Sequence, residues 1–537
     1  MSNICTTTGS TQTSHLNSFY LSLTPQVHQV QPGKRIGFCN LGTGSDARNP
    51  ALTALSFADR FVSMNSYQLP IATCFLPILL ISISLGQTVG QSTDVLRSSD
   101  VATRIEWSAE EEAFLEEIQR GCFNYLWNDV GSPGCLAKDR KNASVSSVAA
   151  VGFQLSSLPI GVERGWVSRE EAELRAKTIL RTLIERTDNK RYGVYLHFLD
   201  HNHGGLIPDA PEVLAGTVDH ALLLMGAIPA ATYFGGEVAK LVAQMDADTN
   251  WKAFVDPERG FISHGWEPHD HTNMQGEGAF RPWMWHRASA EEHVIYFLAV
   301  GCPNADHRVD PEMYYHLERE IGSDNGEPFV KSWNGALFMY FFSHCWIDFA
   351  RFEADDPQRF GVDAPRVDWF ENSRRATITH YRQCMKRSDE FASFGDDRWG
   401  TSPCTGFKNN GEPTYWVPST PPNIANEEQW CEGTIAPYAA GSTIIFTPRE
   451  SMAALRAFRD LQVAGQPVWQ DVTDGGYGFA DSFSIDQGRV SWDITGIDCG
   501  PMLLAIENAR TGLIWRLFHE HPTTIAAVER LKWPLRR

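Results

Sequence analysis

The feature that most constrains this chain is the alternation of two kinds of helical segment from Ser108 onward. One kind is amphipathic and carries explicit start signals. "SAEEEAFLEEIQRGCFNYLW" opens with a capping box, Ser108 to Glu111, and sets Phe114, Leu115, Ile118, Cys122 and Leu126 on one face. "SREEAELRAKTILRTLIERT" repeats the device with Ser168 and Glu171. "TPRESMAALRAFRDL" does so with Thr447 as cap, Pro448 at the first helical position and Glu450 two residues on. The other kind is apolar, at roughly 145–158, 213–233, 289–300, 333–352, 372–387 and 500–518, with further helices near 237–247, 311–320 and 523–532. A helix with no polar face has to be surrounded, whereas an amphipathic one covers a core from outside. About a dozen helices of these two kinds predict an all-α fold in two concentric layers. The (α/α)6 toroid, a double ring of six helical hairpins, satisfies that demand; a multi-helix bundle split into two domains is the alternative. Strand signals are few, "YGVYLHFL" at 192–199 being one. In a toroid the long loops rich in Gly, Pro, Asp and aromatics gather at one end and line a cleft.

The region ahead of Ser108 reads differently. Residues 1–63 are rich in Ser, Thr and Asn and are expected to be disordered or a mispredicted start. "MNSYQLPIATCFLPILLISISLG" at 64–86 combines an uncharged apolar run, 69–85, with a small-x-small site at its end. That is the pattern of a secretory signal peptide, or of an uncleaved anchor if translation begins at Met1. A linker, 87–106, then leads into a single catalytic-sized unit, 107–537. Eight cysteines lie beyond the apolar segment, an even number that suits an exported chain, and Cys404 with Cys431 is the expected disulfide. "NAS" at Asn142 is a glycosylation sequon. Secretion is the expected destination, with membrane attachment only through 69–85.

Composition narrows the partners. A formal net charge of −19 with no basic run argues against nucleic acid and anionic membranes, and makes a polyanionic substrate unfavourable. A neutral substrate fits, and 17 Trp in the chain offer platforms for sugar rings. A monomer is expected. The pairs His201/His203 and His269/His271 lack partners at zinc spacing, and neither HExxH, a P-loop nor GxSxG occurs. No metal and no cofactor are expected.

Two adjacent glutamates at the mouth of an apolar helix, "SAEEHVIYFLAVGCP", raise the question of chemistry. With Ser289 as N-cap, Glu292 falls at N3 and closes a capping box, which leaves Glu291 without a structural task. Adjacent helical residues point about 100° apart, so one cavity receives one of the two.

Several segments in order resemble the glucoamylase-like glycoside hydrolases, the family containing microbial endo-β-1,2-glucanases and the corresponding region of cyclic β-1,2-glucan synthases. They include "SSVAAVGFQLSSLPIGVERGWVSREEA", "TVDHALLLMGA", "EEHVIYFLAVGCP", "SHCWIDF", "EGTIAPYAAGS", "YGFADSF" and "GIDCGPMLLAIENARTGLIW". The resemblance implies the toroid and inverting hydrolysis of a β-glucan, as a secreted endo-β-1,2-glucanase. Glu291 matches the family's general acid, and Asp481 in "YGFADSF" is the implied base, with Asp474, Glu432, Asp219 and Asp348 as competitors. Inversion needs the two carboxyls about 6.5–9.5 Å apart, with water between. Asp139 and Arg140 match a family "DR" pair. Substrate contact is further expected from Asp219, Trp266, Trp285, His344, Trp346, Asp348 and Glu432; for Trp283, core packing is a strong rival to sugar stacking. His344 and Asp348, at i and i+4, should share a helix face. A dipole lowers the pKa of a helix-start carboxyl, so Glu291 needs burial among Trp266, Trp283 and Trp285 to serve as an acid. The chain departs from the family at Cys499, Glu432 and His293. A polysaccharide lyase on the same toroid, or a non-catalytic glucan-binding protein, are the rival functions.

Overall fold

A computed structural model describes residues 105–536. The 1–63 extension, the 64–86 apolar segment and all but the end of the 87–106 linker lie outside the described residues.

Helices dominate, and the two kinds separate largely as the patterning demands; the segment expected to be apolar over 372–387 is instead the amphipathic helix Trp369–Lys386, buried on one face only. Val148–Glu163, Thr217–Phe234, Ala290–Gly301 and Gly496–Arg510 are buried on nearly every side, and all twelve residues of Ala290–Gly301 are buried. Two shorter buried segments complete the inner set: Phe338–Phe341, continued by a 3-10 turn at Phe342–Cys345, and Pro437–Ser442. Their contacts run in chain order. Val148–Glu163 packs on Thr217–Phe234, which packs on Ala290–Gly301, which packs on Phe338–Cys345. Phe341 meets Tyr438 edge-on at 6.1 Å, Pro437–Ser442 packs on Gly496–Arg510, and that helix packs back on Val148–Glu163. The amphipathic helices lie outside. Ala109–Asn128 covers Gly496–Arg510, Arg169–Ile184 covers Val148–Glu163, Gly236–Asp248 covers Thr217–Phe234, and Pro448–Asp460 covers Pro437–Ser442. The first two inner helices touch backbone to backbone. A Cβ on Gly226 would lie 1.8 Å from the Gly152 carbonyl oxygen, and Ser156 Oγ donates to the Gly226 carbonyl at 3.1 Å.

The capping boxes at Ser108 and Ser168 are both formed, whereas Thr447 makes no side-chain cap. The helix expected over 333–352 is not continuous. Gly335 adopts a left-handed φ of 72°, with Thr420 O only 1.9 Å from its would-be Cβ, and the following backbone tightens into 3-10 turns at Phe342–Cys345 and Phe349–Arg351. The helix expected over 500–518 likewise breaks in two at left-handed Gly512. The all-α expectation also missed a set of short antiparallel hairpins, strands of two to four residues. They occupy the loops that enter the inner helices, as with Val194–Tyr195 and Phe198–Asp200 in the "YGVYLHFL" region, and Gly265–Pro268 with Gly278–Phe280. Among the described residues no helix is long and apolar enough to cross a membrane.

The expected Cys404–Cys431 disulfide is absent, and all eight described cysteines are free. Cys404 is held in a strand paired to Trp416, and Cys431 in a left-handed turn; both thiols are buried.

Candidate active site

Glu291 is the second residue of its buried helix and is 1% exposed. Ser289 Oγ accepts from the Glu291 amide at 3.3 Å, and the Ser289 hydroxyl donates to the Glu292 carboxylate. Glu292 is therefore occupied as expected, although its partner is the cap hydroxyl and not the cap amide. Glu291 Oε1 is buried with no hydrogen-bond partner. Burial first, then the charges of Glu292 and Asp219, hold the Glu291 carboxyl well above the usual range. The opposing pull of the helix dipole is overcome. Glu292 is pushed up to about 7 by burial, with Ser289 working against the rise.

Asp219 sits in the first turn of the next inner helix, folded over Gly216. A Cβ at Gly216 would lie 2.3 Å from Asp219 Oδ2, so only glycine leaves that space. His197, on the hairpin loop before that helix, bridges two carboxylates: Nε2 lies 3.4 Å from Asp219 Oδ1 and Nδ1 lies 3.1 Å from Glu212 Oε2. Burial alone would lower the His197 pKa, but Asp219, Glu212 and Asp139 outweigh it and raise it to about 9. His197 is thus a half-buried cation at neutral pH. Asp139 feels the same imidazolium, yet burial, Asp493 and Asp219 raise it to about 7. Glu212 also receives Arg281 at 3.4 Å.

Asp481 occupies a second lobe. The Thr405 amide donates to Asp481 Oδ2 at 2.7 Å. Asp498, in the first turn of the Gly496–Arg510 helix, lies within hydrogen-bonding reach of Asp481. Burial raises both carboxyls. Asp498 goes well above the carboxylate range, while its hydrogen bond and the Thr405 amide limit Asp481 to about 6. Of the two, Asp498 is the carboxyl that burial and the neighbouring Asp481 charge push further towards the protonated form. Arg140 joins the lobes: its Nε lies 3.4 Å from Asp139 Oδ2, and its Nη1 donates to Asp493 Oδ2 at 2.7 Å and to Thr405 Oγ1 at 3.1 Å. Charge interactions link Glu291 to Asp219 and His197 to Asp139, and direct contacts run from Asp139 through Arg140 and Thr405 to Asp481. Glu432 stands beside this lobe, with left-handed φ of 51° and its carbonyl accepting from Ser484 Oγ at 2.8 Å.

Other sequence-derived candidates fall elsewhere. Asp474 is exposed on a turn. Trp266 and Trp285 are buried, with Arg191 over the Trp266 ring at 4.6 Å and Trp285 Nε1 donating to Thr217 Oγ1 at 2.8 Å. Trp283, for which core packing rivals stacking in the sequence, is the exposed one at 38%. His344, Trp346 and Asp348 do not join the cluster. Trp346 is fully buried, stacked on Phe153 at 4.9 Å and donating to Ser156 Oγ at 2.9 Å. His344 Nε2 pairs with Ser373 Oγ at 2.9 Å, and burial lowers its pKa to about 3. The Asp348 amide donates to His519 Nε2 at 3.0 Å, beyond the C-terminal end of an inner helix. The 3-10 turn at Phe342–Cys345 ends after His344 and the chain is non-helical up to Asp348, so the i, i+4 register that was to pair them is not formed. Sequence reasoning missed His197, Glu212 and Asp498, whose meaning depends on partners brought in from other loops. Among the described residues no group of three or more His, Cys, Asp or Glu is arranged to hold a metal ion.

Residues 282–522 match the family model Glycoamylase, described as "Putative glucoamylase". An exo-β-1,2-glucooligosaccharide sophorohydrolase (non-reducing end) from Parabacteroides distasonis is 26% identical, the match covering 79% of this chain and 58% of that protein. The chain thus spans a little over half the length of that curated relative. Among solved structures, an endo-β-1,2-glucanase from Chitinophaga pinensis, in complex with sophorotriose and glucose, superposes with TM-score 0.65 at 21% identity, over 79% of this chain and 98% of that one. A protein from Bacteroides fragilis described as a "putative glucoamylase" superposes with TM-score 0.67 at 22% identity, over 82% and 100%. At these identities the structures establish a shared fold.

Proposed function

We propose, from the match of residues 282–522 to the glycoamylase family model, that the chain is a glycoside hydrolase acting on a β-glucan, an inverting endo-β-1,2-glucanase built on an (α/α)6 toroid. Six buried segments contacting one another in sequence, each entered through a long loop, support the toroid. The observation that carries the function is Glu291, a buried carboxyl with an unpartnered oxygen and a raised pKa. Such a group holds its proton to higher pH than an ordinary glutamate and can give it to the departing glycosidic oxygen. Asp481, which stays ionised to lower pH than Asp498, takes the proton from the attacking water, directly or through a sugar hydroxyl. Asp139, Arg140, Asp219 and Glu432 stand around these two and bind sugar hydroxyls. The relatives' names supply the linkage, and the chain's acidity suits a neutral polymer.

Incubation with linear β-1,2-, β-1,3- and β-1,4-glucans, followed by product sizing, tests the reading. A ladder of lengths from β-1,2-glucan alone is expected, with the α-anomer appearing first in proton NMR. The sophorohydrolase relative favours a second reading, exo release, which would give a single disaccharide from the outset. An unsaturated, ultraviolet-absorbing product would instead indicate a lyase. We further propose export through 64–86, in keeping with an exposed Asn142 sequon. N-terminal sequencing of secreted material tests that, a start shortly after Gly86 being the expected result.

A further inference from the structure

Of the large apolar side chains exposed among the described residues, three are aromatic: Tyr192, Phe280 and Trp283. They gather on one flank. Tyr192 and Phe280 lie nearly parallel, 12° apart at 6.2 Å, and Arg281 stands over Trp283 at 5.7 Å. Beside the first two opens a cavity of about 610 Å³ lined by Arg191, Tyr192, Trp266, His269, Glu277 and Phe280. That volume lies within the range of roughly 300–1,000 Å³ typical of small-ligand pockets.

The pocket is constructed from fixed parts. Trp266 forms its floor and pairs in register with Phe280, and a Cβ at Gly278 would lie 2.2 Å from the Trp266 ring, so the ring lies flat only beneath a glycine. Arg191 is held between the Trp266 and Tyr192 rings at 4.6 and 4.7 Å. Gln275 Nε2 donates to the carbonyls of Thr187 and Lys190 at 2.8 and 3.2 Å, tying the tip of the 268–278 hairpin to the opposite wall. A chain of ion pairs links the flank of the pocket to the candidate active site. Arg281, next to Phe280, binds Glu267 and Glu212; Glu212 binds His197, and His197 binds Asp219, whose charge acts on Glu291.

We propose that this pocket is a distal subsite for a pyranose ring of the same glucan chain whose scissile bond lies at Glu291. The inference rests on the glucanase reading above. Flat aromatic faces accept the C–H faces of a sugar ring, and the guanidinium, imidazole and carboxylate around them match its hydroxyls. Both signs of charge in the pocket suit a neutral ring.

The test measures binding of linear β-1,2-glucan polymer and of sophorotriose to Glu291→Gln protein, with and without Phe280→Ala and Tyr192→Ala. Hydrolysis by the otherwise unaltered chain is followed in parallel. Both rings are partly exposed but pack edge-on against buried Phe254, so the thermal midpoint of each variant is measured alongside, and the unchanged sophorotriose Kd reports an intact site. The expected result is a roughly threefold to tenfold weaker polymer Kd with the sophorotriose Kd unchanged, and in the active chain a raised KM for polymer at constant kcat. Unchanged polymer binding, or equal losses for polymer and trisaccharide, would overturn the inference while hydrolysis by the unaltered chain upholds the glucanase reading. Absence of both hydrolysis and binding by the unaltered chain overturns the two together.

Discussion

The two ends of the buried helices are made of similar residues and behave as opposites. At the entering end, Asp219, Glu291 and Asp498 each occupy the first turn of an inner helix, where the dipole and free amides favour negative charge. Each is nonetheless buried beside another carboxyl, Asp219 and Glu291 with each other and Asp498 with Asp481, and their pKa values are pushed up. At the leaving end, His344, Trp346 and Asp348 also lie buried or nearly so, with His344 Nε2, Trp346 Nε1 and the Asp348 amide bonded to Ser373, Ser156 and His519, and with burial pushing the lone Asp348 carboxyl up to about 6. Burial by itself is therefore no mark of chemistry. What separates the ends is the concentration of mutually repelling carboxyls, a costly arrangement that folding alone would not favour.

The largest effect expected from this contrast comes from Glu291→Gln. Loss of the transferable proton should lower kcat by roughly 10²–10⁴ while leaving glucan binding and the thermal midpoint nearly unchanged. Asp348→Asn at the opposite end should leave kcat within about twofold, since the Asp348 contact to His519 is made by its backbone amide. Comparable losses from both variants would erase the distinction between the ends.

Next in size is Asp481. Its pKa of about 6 makes it ionised above that value, so kcat/KM should fall as pH drops through about 6. Asp481→Asn should lower kcat by roughly 10²-fold or more and remove that acidic limb. A full-rate Asn variant with the limb intact would move the base to another carboxyl of the cluster.

His197 should show itself in stability. Its folded pKa is raised to about 9 from an ordinary value of about 6.5. The stabilisation it contributes is thus fully present below about 6.5 and is lost as pH rises through about 9. His197→Gln should cost about 1–3 kcal/mol at pH 6, with the gap to wild type closing towards pH 9. Denaturant titrations at the two pH values check this, and a gap independent of pH would mean that the ring acts by packing alone.

These outcomes also bear on how much of the molecule could be read from its residues. The inner helices were legible because a helix without a polar face has one place to go, and Glu291 because its neighbour took the capping role. The shorter inner segment Pro437–Ser442 was too brief to carry a period. The assignments at 344–348 failed because helical spacing was assumed where the backbone tightens to 3-10 geometry and then leaves the helix. The exposure of Trp283 and the burial of Trp266 and Trp285 were not legible, because hairpin register decides which of several tryptophans in a loop faces inward, and strands of two to four residues leave little trace of register in a sequence. His197 looked like any polar loop residue until Asp139, Asp219 and Glu212 surrounded it.

The smallest effect is expected at Glu292, and it probes the entering end most finely. Ser289 donates to this carboxyl, and a glutamine oxygen can accept the same bond, so Glu292→Gln should fold and turn over. Glu292 has a pKa of about 7, so below that pH it is largely neutral and the substitution should be almost silent. Above it, wild-type Glu292 is ionised, and its charge is the second cause, after burial, of the raised Glu291 pKa. Removing that charge makes ionisation of Glu291 easier. The general acid then loses its proton at lower pH, and the alkaline limb of kcat/KM should move down by about one unit or less. Paired pH–rate profiles read this directly. A limb that moves upward, or a kcat collapse matching that of Glu291→Gln, would mean that the two glutamates have each other's roles.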